Sequence, residues 1–247
     1  MLLNYKISEY ENLLFYGEEI NHRHDFFIRA NCSLRDINTL FFFDSRGISK
    51  DYEHSLIRKI VDEMNSLNYL IIGRPLEITT WMTLYNFIQM NNLHPKQIVT
   101  NMGFVDFTPK KESIIKQSTD QYIPFFINEK KKVDFIEKYI SSNEGIIDLY
   151  TQEYPRAFVS ELNSLLQNFN VIVINTPKLI EGYKFKRKRP TAFFQGIDKS
   201  NAFNSAMGSR VKILNFSQFT QTETYDGVHY TETGNMIIFS KLRPYLF

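Results

Sequence analysis

Five short apolar runs, separated by stretches with helical periodicity, constrain the fold of this 247-residue chain more than any other feature. They are DINTLFFFD (36–44), NYLIIG (68–73), KQIVTN (96–101), NVIVINTP (170–177) and RVKILNF (210–216). Runs of this length that are rich in Ile, Val and Phe are typical of buried strands. Strands that alternate with helices predict a mainly parallel, five-stranded sheet covered on both faces. Right-handed crossovers then give a three-layer α/β/α sandwich.

The intervals between these runs predict the covering helices. Residues 51–67 place Leu56, Ile60 and Met64 on one face of a helix. PLEITTWMTLYNFIQMN (75–91) predicts a helix with Pro75 in its first turn, where proline is well tolerated. Three more helices are predicted further along the chain, over 155–169, near 197–208 and over 231–246.

Two parts of the chain depart from this alternation. Residues 1–35 contain NLLFYG (12–17) and DFFIRAN (25–31), which predict a small antiparallel β addition at an edge of the sheet. The main domain is accordingly predicted to span residues 36–247. Within it, residues 102–153 form an irregular polar insertion, with one helix expected at KKKVDFIEKYI (130–140).

Charge and cysteine content exclude several classes of protein. The net charge is +2 and no recognition motif accompanies the basic cluster KFKRKRP (184–190), so nucleic acid is not expected as a partner. That cluster is interpreted as a solvated loop or as an edge beside an anionic ligand.

The single cysteine, Cys32, allows no intramolecular disulfide and is expected to be structural. Acidic residues interrupt the N-terminal region and no apolar run is long enough to span a membrane, so a cytoplasmic location is expected.

Chemically useful side chains follow the predicted strands. Asp44 and Ser45 follow the first strand, Gly73 the second and Asn101 the third, while YDGVHYTETG (225–234) follows the fifth. Ligands bind at the carboxyl ends of strands in open parallel sheets, so these groups are expected to meet at one edge. In the last segment, a carboxylate and an imidazole three residues apart can form the outer half of a catalytic triad.

This order of motifs resembles the SGNH (GDSL-like) hydrolase superfamily. The resemblance runs from about residue 36 to the end, and its most specific part is Asp226-Gly-Val-His229 before the last helix. The family's Gly-Asp-Ser turn stands here as Phe43-Asp44-Ser45. Its third motif, usually Gly-x-Asn-Asp, stands here as TNMG (100–103), without the Gly before the Asn or the second Asp. These departures indicate a divergent member, whose substrate does not carry over from the lipases and esterases of the family.

The resemblance implies a flavodoxin-like fold and nucleophilic acyl transfer. Ser45 would attack the ester, His229 would carry its proton and Asp226 would hold the imidazole tautomer. The backbone N–H groups of Ser45 and Gly73 and the Asn101 side-chain amide would form the oxyanion hole. The implied reaction removes an acetyl or other short acyl group from a carbohydrate or small polar metabolite, without a cofactor.

One residue next to the nucleophile is interpreted separately. Arg46 follows Ser45 directly, and a cation at the edge of the sheet could hold an anionic substrate or form a solvent-facing salt bridge.

Three other hypotheses for the function remain open. An O-acyltransferase would pass the same acyl group from acetyl-CoA or another donor to an alcohol. An inactive binding module would keep the fold without the chemistry. A nucleotide- or flavin-binding protein would need a glycine-rich loop after the first strand, where DSRGISK offers a single glycine.

His22 and His24 resemble a metal pair but lack a third ligand at matching spacing, so no metal site is predicted. The acyl group, the acceptor and the oligomeric state are not specified by the sequence.

Overall fold

The fold is described from a computed structural model of the chain. The structure describes residues 27–48, 53–64, 66–75, 78–120, 125, 133–141, 145–185 and 189–246. The strands are β1 (Phe27–Ala30), β2 (Thr39–Phe43), β3 (Tyr69–Gly73), β4 (Gln97–Thr100), β5 (Lys110–Lys111), β6 (Val133–Ser141), β7 (Gly145–Gln152), β8 (Asn170–Ile174) and β9 (Val211–Leu214). The helices are α1 (Ser45–Ile48), α2 (Leu56–Glu63), α3 (Trp81–Met90), α4 (Phe104–Phe107), α5 (Glu112–Asp120), α6 (Arg156–Leu166), α7 (Thr191–Ser205) and α8 (Glu232–Leu242).

A six-stranded sheet forms the centre of the molecule, in the order β1-β3-β2-β4-β8-β9. The five strands predicted from the sequence are all parallel, and β1 adds to the edge in antiparallel pairing with β3. The predicted three-layer α/β/α architecture with a small N-terminal β addition is therefore confirmed. The NLLFYG segment lies outside the described residues.

Each face of the sheet carries its own apolar core. One core gathers residues of α3 and α6, including Trp81 and Phe158, over Phe42 of β2. The other gathers residues of α2 and α8, including Ile57, over Phe41 and Phe43. Complete burial of a Phe or Ile side chain stabilises the fold by about 1.5–3 kcal/mol. Alternate residues of β2 thus anchor it to opposite layers, which fixes the direction in which the chain leaves the strand at Asp44.

Helix α3 begins later than the sequence predicts. Pro75 lies before the helix, which starts at Trp81 after Thr80. The Thr80 hydroxyl accepts the backbone N–H of Thr83, and the Thr83 hydroxyl accepts that of Thr80. This reciprocal cap satisfies two backbone donors at the helix start, so it defines the boundary better than the proline does.

The 102–153 insertion contains a second sheet, with strands in the order β5-β7-β6. The prediction of a helix over 130–140 is wrong for residues 133–140, because β6 pairs with β7 in an antiparallel hairpin with a register shift between Phe135 and Glu137; residues 130–132 lie outside the described residues. The apolar residues of this segment fit a helical period, but pairing with the β-branched and aromatic residues of β7 favours the strand. Across the described ranges, no helix is both long and apolar enough to cross a membrane.

Candidate active site

Ser45 is the first residue of α1, two positions after the end of β2. Phe43 ends the strand opposite Gly73 of β3, and the Arg74 backbone N–H donates to the Phe43 carbonyl at 2.7 Å. The next residue, Asp44, accepts the backbone N–H of Gly47 on its own carbonyl, which closes the turn. Ser45 is therefore held at the carboxyl edge of the sheet, where its side chain is partly exposed.

His229 reaches the same edge from the loop that follows β9. The loop closes on itself, since the Tyr225 backbone N–H donates to the His229 carbonyl at 3.2 Å. Gly227 adopts φ +83°, a left-handed conformation that costs glycine little. Thr231 then caps α8 by accepting the Gly234 backbone N–H. The tight loop and the capped helix together fix the position of the imidazole.

The side chains of Ser45, His229 and Asp226 form a continuous hydrogen-bonded chain. The Ser45 hydroxyl oxygen lies 3.2 Å from Nε2 of His229, and Nδ1 of His229 lies 3.0 Å from Oδ2 of Asp226. Both distances are within or close to the usual hydrogen-bond range, and contacts of this kind often tighten only when substrate binds. With Nδ1 protonated, Nε2 is left free to accept the serine proton.

The Asp226 carboxylate is stabilised in its ionised form. Burial alone would raise its pKa, but hydrogen bonding to the His229 ring, the charge of that ring and two backbone donors outweigh burial. The donors are the backbone N–H groups of Val228 and His229, each 2.9 Å from Oδ1. The pKa of Asp226 is consequently held well below the usual carboxyl range. Asp226 therefore remains an acceptor for the imidazole at neutral and mildly acidic pH.

Two further residues contact this chain of side chains and were not singled out in the sequence. Arg189 donates from Nη2 to the Asp226 carbonyl at 3.1 Å and lies 3.4 Å from Oδ2, with its guanidinium 4.9 Å from the centre of the Phe193 ring. Tyr225 stacks on His229, with ring centres 5.6 Å apart and planes inclined by 15°. The available signals were the basic cluster for Arg189 and the adjacency to Asp226 for Tyr225. Neither signal predicted a contact. For Arg189, the 37 residues that separate it from Asp226 in the sequence hide the contact.

Arg46 is buried behind the turn and does not line the site. Its residue surface is fully buried, and its guanidinium is 2.7 Å from Asp44 Oδ2. It also donates to the Thr176 hydroxyl and to the Asn101 carbonyl. Burial alone would lower the Arg46 pKa, but the charge of Asp44, the charge of Tyr230 and hydrogen bonding to both side chains together outweigh burial, so the pKa is raised. The prediction of a substrate-holding or solvent-facing cation is wrong, because the Asp44 carboxylate draws Arg46 inward.

Asn101 belongs to the same buried network. Its Nδ2 donates to Asp44 Oδ1 at 3.0 Å, and its Oδ1 accepts the Asp44 backbone N–H at 2.9 Å. The side chain thus ties the end of β4 to the turn that carries Ser45. One amide hydrogen is engaged by Asp44, and the role of Asn101 as an oxyanion donor stays a prediction.

Gly73 lies beside the Ser45 turn, and its small size has a packing reason. A Cβ at this position would come 2.7 Å from Cδ1 of Ile57 and 3.0 Å from Cδ1 of Ile48. The glycine therefore lets α1 and α2 approach the end of β3. Its backbone N–H as an oxyanion donor, like that of Ser45, also stays a prediction.

The sequence predicts no metal site, because the two histidines that resemble a metal pair lack a third ligand. His22 and His24 lie outside the described residues. In the part of the chain that the structure covers, no group of three or more His, Cys, Asp and Glu residues is arranged to hold a metal ion.

The chain matches no family model and no curated protein. Solved structures that align with this chain include one described as a platelet activating factor from Streptococcus pneumonia, at 13% identity, a TM-score of 0.47 and coverage of 86% of this chain and 85% of that chain. Another is an acetyl xylan esterase at 12% identity, a TM-score of 0.46 and coverage of 85% and 100%. A third is described as a GDSL-like lipase from Bacteroides ovatus, at 10% identity, a TM-score of 0.45 and coverage of 86% and 53%.

Proposed function

We propose that the protein is a serine hydrolase of carboxylic esters, with Ser45 as nucleophile, His229 as general base and acid, and Asp226 as the residue that orients His229. The observation that carries this proposal is the chain of contacts from Ser45 Oγ to His229 Nε2 and from His229 Nδ1 to Asp226 Oδ2, at 3.2 Å and 3.0 Å. A nucleophile, a base and an orienting carboxylate in this order are what acyl transfer by serine requires.

In the first half of the reaction, Ser45 Oγ attacks the ester carbonyl carbon while its proton passes to His229 Nε2. The tetrahedral intermediate then expels the alcohol, which takes the proton back from His229, and an acyl-Ser45 ester remains. In the second half, water attacks this ester, and His229 again accepts and returns the proton. The products are a carboxylic acid and free Ser45.

The surroundings of His229 support its alternation between neutral and protonated forms. The ionised Asp226 carboxylate lies against Nδ1 and compensates the positive charge that develops on the ring. Tyr225 covers one face of the imidazole and limits its rotation. His229 and Asp226 side chains remain 27% and 22% exposed, so water can reach the acyl-enzyme.

Short acyl esters of a carbohydrate or another small polar metabolite are the proposed substrates. Transfer of the acyl group to an alcohol instead of water uses the same acyl-enzyme, and it would need an acyl donor such as acetyl-CoA. Hydrolysis is proposed first because Ser45 and His229 are both partly exposed and water is then the only further reactant needed.

The test is release of p-nitrophenol from its acetate and butyrate esters. Ser45→Ala and His229→Ala are each expected to lower kcat/KM by at least about 10³-fold. The first removes the nucleophile, and the second removes the group that accepts and returns its proton. Ser164→Ala and His94→Ala change exposed residues elsewhere and serve as matched controls. Equal rates in all five proteins would reject the assignment. Product formation only with an added acyl donor and alcohol would replace the hydrolase by a transferase.

A further inference from the structure

A cavity lies at the carboxyl edge of the sheet, apart from the candidate active site. It has a volume of about 480 Å³ and opens between the segments that follow β8 and β9, with α7 as its third wall. Ligand pockets in proteins have volumes of about 300–1,000 Å³. The carboxyl ends of strands are also where open α/β sheets bind ligands. Ser45 and His229, both among the described residues, are not part of its lining.

Most residues that line this cavity have uncharged polar side chains. Four amides contribute to it, from Asn175, Asn201, Asn215 and Gln218, together with the hydroxyl of Ser217. Asn175 is only 2% exposed, donates to Asn215 and accepts from Asn204, so it supports the wall while the more exposed Asn201, Asn215 and Gln218 are open to a ligand. Amides and hydroxyls both donate and accept hydrogen bonds, which matches the hydroxyl groups of a ligand better than it matches apolar surface.

The walls are held in place before any ligand binds. The Asn201 side chain accepts the Thr176 backbone N–H at 3.1 Å and donates to the Thr176 carbonyl at 2.9 Å. Asn175 donates to Asn215 Oδ1 at 2.7 Å, which joins the segments that follow β8 and β9. Side chains fixed in this way lose little conformational entropy on binding, so their remaining hydrogen-bonding capacity is available to a ligand.

The charges at the cavity compensate each other. Lys178 and Asp198 form an ion pair at 2.6 Å, and both side chains are more than 60% exposed. A paired lysine gives an anionic ligand little net attraction, so phosphates and carboxylates are not favoured. The half-buried Phe216 adds one aromatic ring among the polar groups, and the Lys241 ammonium, which donates to the Asn215 carbonyl, lies 5.2 Å from the centre of that ring. A sugar presents hydroxyls at its edges and C–H groups on its faces. Amides can hydrogen-bond the hydroxyls, and a single aromatic ring can pack against the C–H groups.

From these features we propose that the cavity is a binding site for a neutral, polyhydroxylated ligand, a sugar or a related polyol. The site is joined to the Ser45 turn through one hydrogen bond, because the Thr176 hydroxyl accepts from Nη1 of Arg46. It is nevertheless a separate site, and it binds its ligand whether or not Ser45 performs ester hydrolysis.

The test is saturation-transfer NMR on the full chain in the Ser45→Ala background, which excludes turnover. The probes are glucose, maltose and cellobiose as neutral sugars, and glucose 6-phosphate and adenosine monophosphate as anions. At least one neutral sugar is expected to bind, and the anions are expected to bind no better.

Substitutions in the cavity wall locate the binding. Ala202→Trp fills the cavity from the exposed face of α7 and is expected to weaken sugar binding at least tenfold. Ala206→Trp, an exposed alanine just beyond the same helix, is the matched control and is expected to leave binding unchanged. Gln218→Ala removes one hydrogen-bonding amide and is expected to weaken binding about threefold to tenfold. Absence of sugar binding, binding that survives Ala202→Trp, or binding of the anions alone would each overturn the proposal.

Discussion

Ser45 Oγ and His229 Nε2 lie 3.2 Å apart, although 184 residues separate them in the chain. The contact depends on two independent pieces of local structure, the turn at the end of β2 and the closed loop before α8. Each is fixed by its own backbone hydrogen bonds, so the pair is already in place without a substrate.

Asp226→Asn tests the orienting role of the carboxylate. An amide at this position can present an N–H to Nδ1 and so favour the imidazole tautomer with its proton on Nε2, which cannot accept the serine proton. We expect kcat for p-nitrophenyl acetate to fall by about 10²–10⁴-fold, with a smaller change in KM. Asp62→Asn, which affects only an exposed pair with Arg58, is the control and should retain full activity. An Asp226→Asn enzyme with wild-type kcat would show that the carboxylate does not orient His229.

The low pKa of Asp226 also predicts a pH dependence of stability. Because the pKa is lower in the folded than in the unfolded chain, the ionised carboxylate stabilises the fold above about pH 4, the ordinary carboxyl pKa. This contribution is lost as the pH falls below that value towards the folded pKa. The difference in free energy of unfolding between wild type and Asp226→Asn should therefore shrink as the pH falls below about 4. Urea denaturation at a series of pH values measures it, and a difference that widens below about pH 4 would contradict the assignment.

The buried pair of Asp44 and Arg46 predicts a large effect on stability. Arg46→Met leaves the Asp44 carboxylate without its cation in a site where both side chains are at most 2% exposed. Loss of one partner of such a pair costs about 3–5 kcal/mol. Adding Asp44→Asn to Arg46→Met removes the unpaired charge and should recover part of that loss in chemical denaturation.

Arg58→Met is the matched control for that series. It breaks an exposed pair with Asp62 and should change the free energy of unfolding by less than about 1 kcal/mol. Equal effects at Arg46 and Arg58, or a double variant no more stable than Arg46→Met alone, would contradict the account of the buried network.

Gly73→Ala separates packing from catalysis at the end of β3. The added methyl group would meet Ile57 and Ile48, so we expect a loss of about 1–3 kcal/mol in the free energy of unfolding. Ile57→Val removes the Cδ1 atom of the tightest contact, and combining it with Gly73→Ala should recover part of the loss. Since alanine keeps the backbone N–H, kcat should change little at temperatures where the variant is folded. A stable Gly73→Ala protein with strongly reduced kcat would contradict this expectation and would show that the packing of α1 against Gly73 positions Ser45.

The sequence predicted the sheet because its strands are continuous apolar runs, buried on both faces. It also placed Ser45, Gly73, Asn101 and the Asp226–His229 loop at one edge, since strand direction alone determines that arrangement. It did not reveal whether polar neighbours face solvent or the interior. Arg46 was misjudged for this reason, because its burial depends on Asp44 and Thr176, and Thr176 is 130 residues away.

Local pattern was least informative where distant pairing determines the structure. The 133–141 segment fits a helical period, and only the register with β7 makes it a strand. The contact of Arg189 with Asp226 likewise depends on where the residues directly before α7 pack against the loop that carries His229. Both are properties of tertiary packing, which periodicity does not encode.

Covalent labelling with a fluorophosphonate, read by peptide mass spectrometry, tests the central proposal most directly. We predict a single adduct on Ser45 in the folded wild-type protein, absent in Ser45→Ala and formed much more slowly in His229→Ala. Labelling of the exposed Ser164 should be absent, and prior unfolding should abolish the Ser45 adduct. A folded wild-type protein that forms no adduct, or one labelled equally well after His229→Ala, would contradict the assignment of Ser45 as a nucleophile activated by His229.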